Sequence, residues 1–367
     1  MWFKTSKNLL EELINKVVPV IPSRTPYPVI QNILCSTENG RLNLLATDLD
    51  IYVKTWAEIE TETDDDIKVL LPGKKLASIV KESGASEIEF MKEENRLVLK
   101  AGRTIFRIPI IDPEEFPRMF DKPSSFQFNM ESKRLRSLFD SVEFAVSRGE
   151  DRPAMMGVLW EIKAEKSRMV ATDGHRMALG DDANSPGISE QSHIMPSKIF
   201  NFIPKDFDGN LEVYLDDSKV GFLFESTEVV SRLIEGPYPD YEKVIPKDIK
   251  NTLTVNRDEI NAALRRMMIF TNQVTRQVKF VLGGNTLKLA ASSPEGEEAT
   301  EDLACSYNGE GFEVAYNGAY LIEILRHISS EDVVFEITGA LSAALIRGAG
   351  EREVQDRLYL VMPILLD

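Results

Sequence analysis

The sequence predicts an α+β chain made of three copies of one domain, each with two helices and roughly eight strands. Three observations predict it. A helical apolar stripe recurs twice at a fixed offset, a second stripe does the same, and an aromatic- or apolar-proline step closes each copy. At 367 residues the chain also exceeds one ordinary core, since domains commonly run about 100–200 residues.

The first stripe is Leu10, Leu13, Ile14 and Val17, which share one face of a helix. It returns 125 residues on as Leu135, Leu138, Phe139 and Val142, and after 125 more as Ile260, Ala263, Leu264 and Met267. Between the helices of the first copy lie short apolar runs that read as strands: Val29–Cys35, a turn at Glu38-Asn39-Gly40, then Leu42–Ala46 and Ile51–Trp56. The second stripe, Leu76, Ile79 and Val80, recurs as Ile199, Phe202 and Ile203 and again as Leu321, Ile324 and Leu325. Further strands are expected at Glu87–Met91, Arg96–Lys100 and Phe106–Ile110. The copies close at Phe116-Pro117, Tyr238-Pro239 and Met362-Pro363. Joins therefore fall near Lys122–Ser125 and Lys247–Thr252, which divides the chain into 1–123, 124–248 and 249–367.

With 43% hydrophobic and 28% charged residues, the composition is that of a folded globular chain rather than a disordered one. No apolar run approaches the ~20 residues of a membrane span, and Met1-Trp2-Phe3-Lys4 opens an amphipathic segment, not a secretory one. Cys35 and Cys305 are far apart and lack metal spacing, which points to a reducing cytoplasm without disulfides. The net charge of −16 argues against tight gripping of nucleic acid. It still permits a protein that surrounds DNA with basic groups on an inner face only.

Four motifs stand in order within the repeats: Ala171-Thr172-Asp173-Gly174-His175-Arg176-Met177-Ala178, Tyr238-Pro239-Asp240-Tyr241-Glu242-Lys243-Val244-Ile245-Pro246, Tyr316-Asn317-Gly318-Ala319-Tyr320 and Tyr359-Leu360-Val361-Met362-Pro363. With them the sequence resembles the bacterial DNA polymerase III beta sliding clamp family over essentially its full length. The resemblance implies clamp-fold domains of two helices plus two small antiparallel sheets. It further implies a head-to-tail homodimer that closes six domains into a ring, with helices lining the hole. Contact with duplex DNA is then sequence-independent.

The resemblance carries a DNA-facing role to Arg24, Arg152 and Lys198, with Lys75 at the equivalent helix start of the first copy. Arg148, read as one helical turn before Arg152, joins them. The plain alternative is that surface lysines and arginines abound in any such protein. Pro153-Ala154 stands where some members carry aromatics, so the resemblance does not extend to base stacking there.

A pocket for partner peptides is implied at Met155, Thr172, Gly174, His175, Arg176, Met177, Pro239, Val244, Asn317, Tyr320, Leu341, Leu360, Met362 and Pro363. Flexible methionines suit several related peptides, and Asn317, His175 and Arg176 are expected to orient them by hydrogen bonds. Read without the family, the Met and Val positions are plain core. The ending Ile364-Leu365-Leu366-Asp367 replaces a methionine and a basic residue of the family, which leaves peptide preference open.

At the dimer joint the resemblance sets Ile269 and Phe270 opposite Phe106, and Lys74 and Arg103 opposite Glu295, Glu297, Glu298 and Glu301. The plain reading of that acidic run is a solvated loop. Implied partners are the replicative polymerase catalytic subunit, a clamp loader complex, repair polymerases, mismatch-repair proteins and ligase. No cofactor, metal or catalytic residue is expected, and ATP would belong to the loader.

Two rival readings stay open at this level. Asp173 and His175 pair a carboxylate with an imidazole, as hydrolases do, yet the three histidines, His175, His193 and His327, lack paired metal spacing, and Asp173 beside a glycine reads better as a turn. The second rival is a triplicated scaffold that binds proteins without encircling DNA.

Overall fold

The computed structural model describes residues 2–61, 67–149, 151–184, 186–350 and 357–365, so Leu366 and Asp367 of the unusual ending lie outside it. Two compact units emerge: 1–133 with 198–233, and 134–197 with 234–367. Among the described residues no helix is long and apolar enough to cross a membrane.

The first stripe forms helices where expected. Helix α1 (Lys7–Val17) is capped by Ser6, whose hydroxyl accepts from the Leu9 amide, and it buries Leu10, Leu13, Ile14 and Val17. Fully burying each such side chain contributes about 1.5–3 kcal/mol. Helix α2 (Gly73–Glu82) starts on a glycine because a Cβ there would lie 2.2 Å from Ile21 Cδ1. Helix α3 spans Ser132–Asp140 and α4 spans Arg257–Met267. Helix α5 (Gly318–Leu325) packs on α4 and begins at a glycine whose added Cβ would meet Met268 Sδ at 2.8 Å.

The second copy departs from the two-helix expectation. Ser197–Phe202 winds as a 3-10 helix of six residues, although Ile199 and Phe202 are buried as the stripe requires. Pro204 follows closely and blocks extension of the segment, and Ile, Phe and Asn within it favour an α-helix weakly. The run at Val29 likewise opens as a 3-10 turn, Pro28–Gln31, with proline at its first position, and the strand starts at Asn32. Asn39 and Gly40 both take positive φ (51° and 75°), as a tight hairpin between Asn32–Glu38 and Arg41–Thr47 demands.

Among the described residues all strand pairs are antiparallel. In the first unit, a five-stranded sheet runs Glu60–Thr61, Phe3–Ser6, Glu87–Glu93, Arg96–Ala101, Thr104–Pro109. An eight-stranded sheet there joins strands of the first copy to strands of the second. The joint is Ile51–Glu58 against Thr227–Arg232, with Val53 opposite Val229. In the second unit a nine-stranded sheet repeats that joint one copy later. There Arg176–Asp182 pairs with Arg357–Val361, and Met177 lies opposite Leu360. The two small sheets expected per copy are thus halves, and neighbouring copies fuse their halves through backbone hydrogen bonds.

The remaining four-stranded sheet of the second unit runs Glu298–Ala304, Thr286–Ser292, Gln277–Gly283, Phe312–Asn317. Glu298–Ala304 occupies in the third copy the place that Ile51–Glu58 and Arg176–Asp182 hold in the first two, and it is an edge strand. Thr104–Pro109 of the first copy, the counterpart of Thr227–Arg232 and Arg357–Val361, is an edge strand too.

Candidate functional site

The pocket is built where the joint between the second and third copies meets the Tyr238–Pro246 segment. Strands Ser167–Thr172 and Arg176–Asp182 are linked by a tight turn. In it Thr172 Oγ1 donates to the Arg176 carbonyl (2.7 Å) and accepts from the Gly174 amide (3.1 Å). Asp173 Oδ1 accepts from the amides of His175 (2.9 Å) and Arg176 (3.0 Å). Gly174 has φ +88°, and an added Cβ would lie 3.3 Å from Arg152 Nη1 and 3.5 Å from Met155 Cε. The Asp173-Gly174-His175 string is therefore a turn whose carboxylate holds backbone.

A cavity of about 140 Å³ opens beside this turn. Met155, Thr172, Gly174, Arg176 and Met177 line it together with Pro239, Val244, Leu360 and Met362. A neighbouring groove of about 340 Å³ shares Val244 and Met362 with it. The floor is a cluster of buried residues that includes Met177, Leu179, Tyr241, Leu345 and Leu360. Met155 and Leu360 are almost fully buried, whereas Val244 is 48% and Met362 39% exposed, so the rim is apolar and accessible. The Met362 amide donates to the His175 carbonyl (2.8 Å), which ties the tail to the turn.

Five expected pocket residues sit elsewhere. His175 is exposed and does not line the cavity. Asn317 caps α5, its Oδ1 accepting from the Ala319 (3.0 Å) and Tyr320 (3.4 Å) amides, so that oxygen is not spare for a ligand. Tyr320 lies under the Arg176 guanidinium at 4.4 Å. Leu341 is 76% exposed in the turn next to the larger groove, and Pro363 is half-buried.

Arg176 needs a correction as well. Its guanidinium donates to Asp173 Oδ2 (3.0 Å), Glu323 Oε2 (2.6 Å) and the Phe144 carbonyl (2.5 Å). With 7% of the residue exposed, these donors hold the pocket wall rather than reach for a peptide. Sequence reasoning missed three wall residues. Arg152, placed with the DNA-facing group, lines the cavity, as do Asp240 and Tyr241. The tyrosine was legible only as part of its motif. Its hydroxyl donates to Glu161 (2.5 Å) and accepts from Arg168 Nη1 (3.2 Å), and burial followed by the Glu161 bond pushes its pKa up. Arg168 also grips Asp181 through two bonds (2.6 and 2.8 Å). Burial disfavours the Asp181 carboxylate, but Arg168 and Lys166 outweigh it and lower its pKa.

Of the DNA-facing set, Arg24, Lys75 and Lys198 are exposed in the first unit, and Arg148 and Arg152 are exposed in the second. Lys198 is ion-paired with Asp48 while its side chain stays 48% exposed. The helical relation of Arg148 to Arg152 does not hold. Arg148 follows the 3-10 turn Glu143–Ala145 and Arg152 precedes the 3-10 turn Pro153–Met156, and neither residue is itself in a helix.

At the expected joint, Lys74 Nζ donates to Ser23 Oγ (2.9 Å), and Arg103 sits in the turn before the edge strand Thr104–Pro109. Phe106 is half-buried, while Ile105 beside it is 49% exposed. Ile269 is 74% exposed and Phe270 half-buried. Glu295, Glu297 and Glu298 are exposed, but Glu301 is already held by Arg266 within the chain, which lowers its pKa. Among the described residues no group of three His, Cys, Asp or Glu is placed to hold a metal ion.

Comparison with known proteins agrees along the whole chain. Models of the DNA polymerase III beta subunit match its N-terminal domain at residues 1–120, its central domain at 129–240 and its C-terminal domain at 242–364. The beta sliding clamp of Pseudomonas aeruginosa is 30% identical over 371 residues, covering 100% of both chains. A crystal structure of the DNA polymerase III subunit beta from P. aeruginosa superposes with a TM-score of 0.94 at 30% identity, again over 100% of both chains. That of the Thermotoga maritima beta subunit gives 0.90 at 26% identity, covering 100% of this chain and 99% of the other. The chain therefore belongs to the beta sliding clamp family, the non-catalytic processivity subunits of DNA polymerase III.

Proposed function

We propose that two copies of this chain close head to tail around duplex DNA and tether the replicative polymerase through the Met155–Met362 pocket. The observation that carries this reading is the repeated joint. Each internal junction pairs a strand of one copy with a strand of the next, and the same two strand types are left as edges at Thr104–Pro109 and Glu298–Ala304. Pairing those edges between two chains repeats the internal joint and removes the open edges. Ile269 and Ile105 supply exposed apolar surface beside it, and Lys74 and Arg103 face Glu295, Glu297 and Glu298 across it. The copies divide at 1–123, 124–248 and 249–367.

Arg24, Lys75, Arg148, Arg152 and Lys198 touch phosphates without reading bases. The surface pair of Lys198 with Asp48 is worth little and exchanges readily for a phosphate contact. A clamp loader opens the ring. Repair polymerases, mismatch-repair proteins and ligase compete for the apolar groove in the cytoplasm, with short peptides docking Met-lined surface. The test is topological: load the protein onto nicked circular DNA with a compatible loader, then linearise the circle. Release on linearisation is expected. Retention on the linear DNA means direct binding and overturns the ring.

A further inference from the structure

Adjoining the peptide cavity is a larger one, about 490 Å³, which shares Pro239, Asp240 and Tyr241 with it. Its lining is mostly polar, but Leu159 and Ile194 at its base belong to the same buried cluster as Met177, Tyr241 and Leu360 of the peptide cavity. Its walls carry the carboxylates of Glu161, Asp240 and Glu242 against one ammonium, Lys163. We propose that this cavity is a second subsite of the groove and takes a lysine or arginine side chain from the residues flanking a partner's docking peptide. The proposal rests on the peptide-binding reading above.

Three features select that occupant. An apolar base under an acidic rim matches a side chain with a methylene stem and a cationic head. The two tyrosines of the lining are held in place, so the cavity is preformed: Tyr241 is fixed by its bond to Glu161, and Tyr238 by its hydroxyl bond to the Val170 carbonyl (3.3 Å). The charges are also arranged for exchange. Asp240 is paired with Lys243 at 2.8 Å, but those side chains are 55% and 82% exposed, so the pair is weak. Glu242 is 65% exposed and lies 3.9 Å from Arg168, whose shorter bonds go to Asp181. Glu161 accepts from Tyr241 and from Lys163 (3.3 Å) on Oε2. An incoming cation thus finds carboxylates that are accessible or only partly engaged.

The test uses full-length protein and fluorescein-labelled peptides with one Ser-Leu-Ser-Leu-Phe core, whose leucines and phenylalanine suit the apolar, methionine-lined cavity, extended at either end by Lys-Lys or Ser-Ser. Fluorescence anisotropy should show the Lys-Lys extension at one end binding about three- to fivefold tighter than Ser-Ser. In the Glu161→Gln/Glu242→Gln variant, which changes no residue lining the peptide cavity and keeps an acceptor for the Tyr241 hydroxyl, that advantage should vanish while the bare core binds unchanged, which also reports an intact fold. The Glu93→Gln/Glu94→Gln variant removes equal charge at exposed positions elsewhere and should keep the advantage. Equal loss in both variants would reduce the effect to net charge and overturn the subsite. So would a core that binds with no preference between extensions. Failure of the core itself to bind would overturn the peptide groove and the subsite with it.

Discussion

Arg176 donates from Nη1 to the Glu323 carboxylate at 2.6 Å, which locks the turn of the second copy onto helix α5 of the third, 147 residues away. The same guanidinium reaches Asp173 and the Phe144 carbonyl and stacks between the Tyr320 and Phe144 rings. Lysine retains the charge but lacks the planar fork that serves three acceptors at once. Arg176→Lys should lower unfolding stability by about 2–3 kcal/mol in urea titrations. It should also weaken peptide binding, because the wall loses its brace. A variant as stable as wild type would show that the network is not cooperative.

Gly174→Ala tests the turn itself. At φ +88° an alanine is strained, and its Cβ would press on Arg152 and Met155 at the cavity mouth. Both side chains are flexible at their ends, so the expected cost is modest, about 1 kcal/mol. Calorimetry should show the lower melting temperature, and anisotropy a weaker peptide complex.

His327 stacks on Phe144, with ring centroids 4.4 Å apart, and so lies one ring away from Arg176. Burial, followed by the charge of Arg357, holds its pKa below the ordinary 6.5. As pH falls, the unfolded chain takes up that proton before the folded one. His327 therefore adds stability above pH 6.5, and that contribution is lost as pH falls through the folded-state value. His327→Gln cannot titrate. The stability gap between wild type and this variant should narrow from about pH 7.5 to about pH 5 in urea titrations, and a constant gap would remove the assignment.

What could be read in advance divides along a physical line. The Leu10, Leu13, Ile14, Val17 stripe was legible because helix burial is a local, periodic constraint, and all four are buried. Ile199 and Phe202 have helical spacing too, yet with weak helix formers between them and Pro204 just beyond they wind as 3-10 turns, a limit that periodicity does not encode. The joint of Ile51–Glu58 with Thr227–Arg232 was invisible, since antiparallel partners about 176 residues apart leave no local mark. The groove was legible by motif through Met177 and Met362, and through the family resemblance at Met155. Roles within it were not: Arg176 and Asn317 look like ligand-binding groups until their distant or capping partners are known.

Met362→Ala with Pro363→Ala should leave dimerisation and folding intact while partner-peptide binding falls. Met362 is 39% exposed and lines both grooves, so truncation removes contact area without emptying a core. Isothermal titration with the core peptide should show a loss of about tenfold or more, and polymerase stimulation should fall in step. Normal stimulation by this variant would remove the pocket assignment.

Ile269→Asp addresses the joint between chains. At 74% exposure Ile269 contributes little to the folded monomer, so the melting temperature of the dissociated chain should barely change. In a closed head-to-tail dimer each substitution strikes both joints. Burying an aspartate where an isoleucine packed costs about 2–3 kcal/mol at each, which multiplies to a weakening of about a thousandfold or more. Sedimentation equilibrium should show a monomer at concentrations where wild type is dimeric. The variant should also fail to stay on circular DNA after loading. A dimer of undiminished affinity would move the interface away from the Ile269 face, and retention on circles by a monomer would remove the ring.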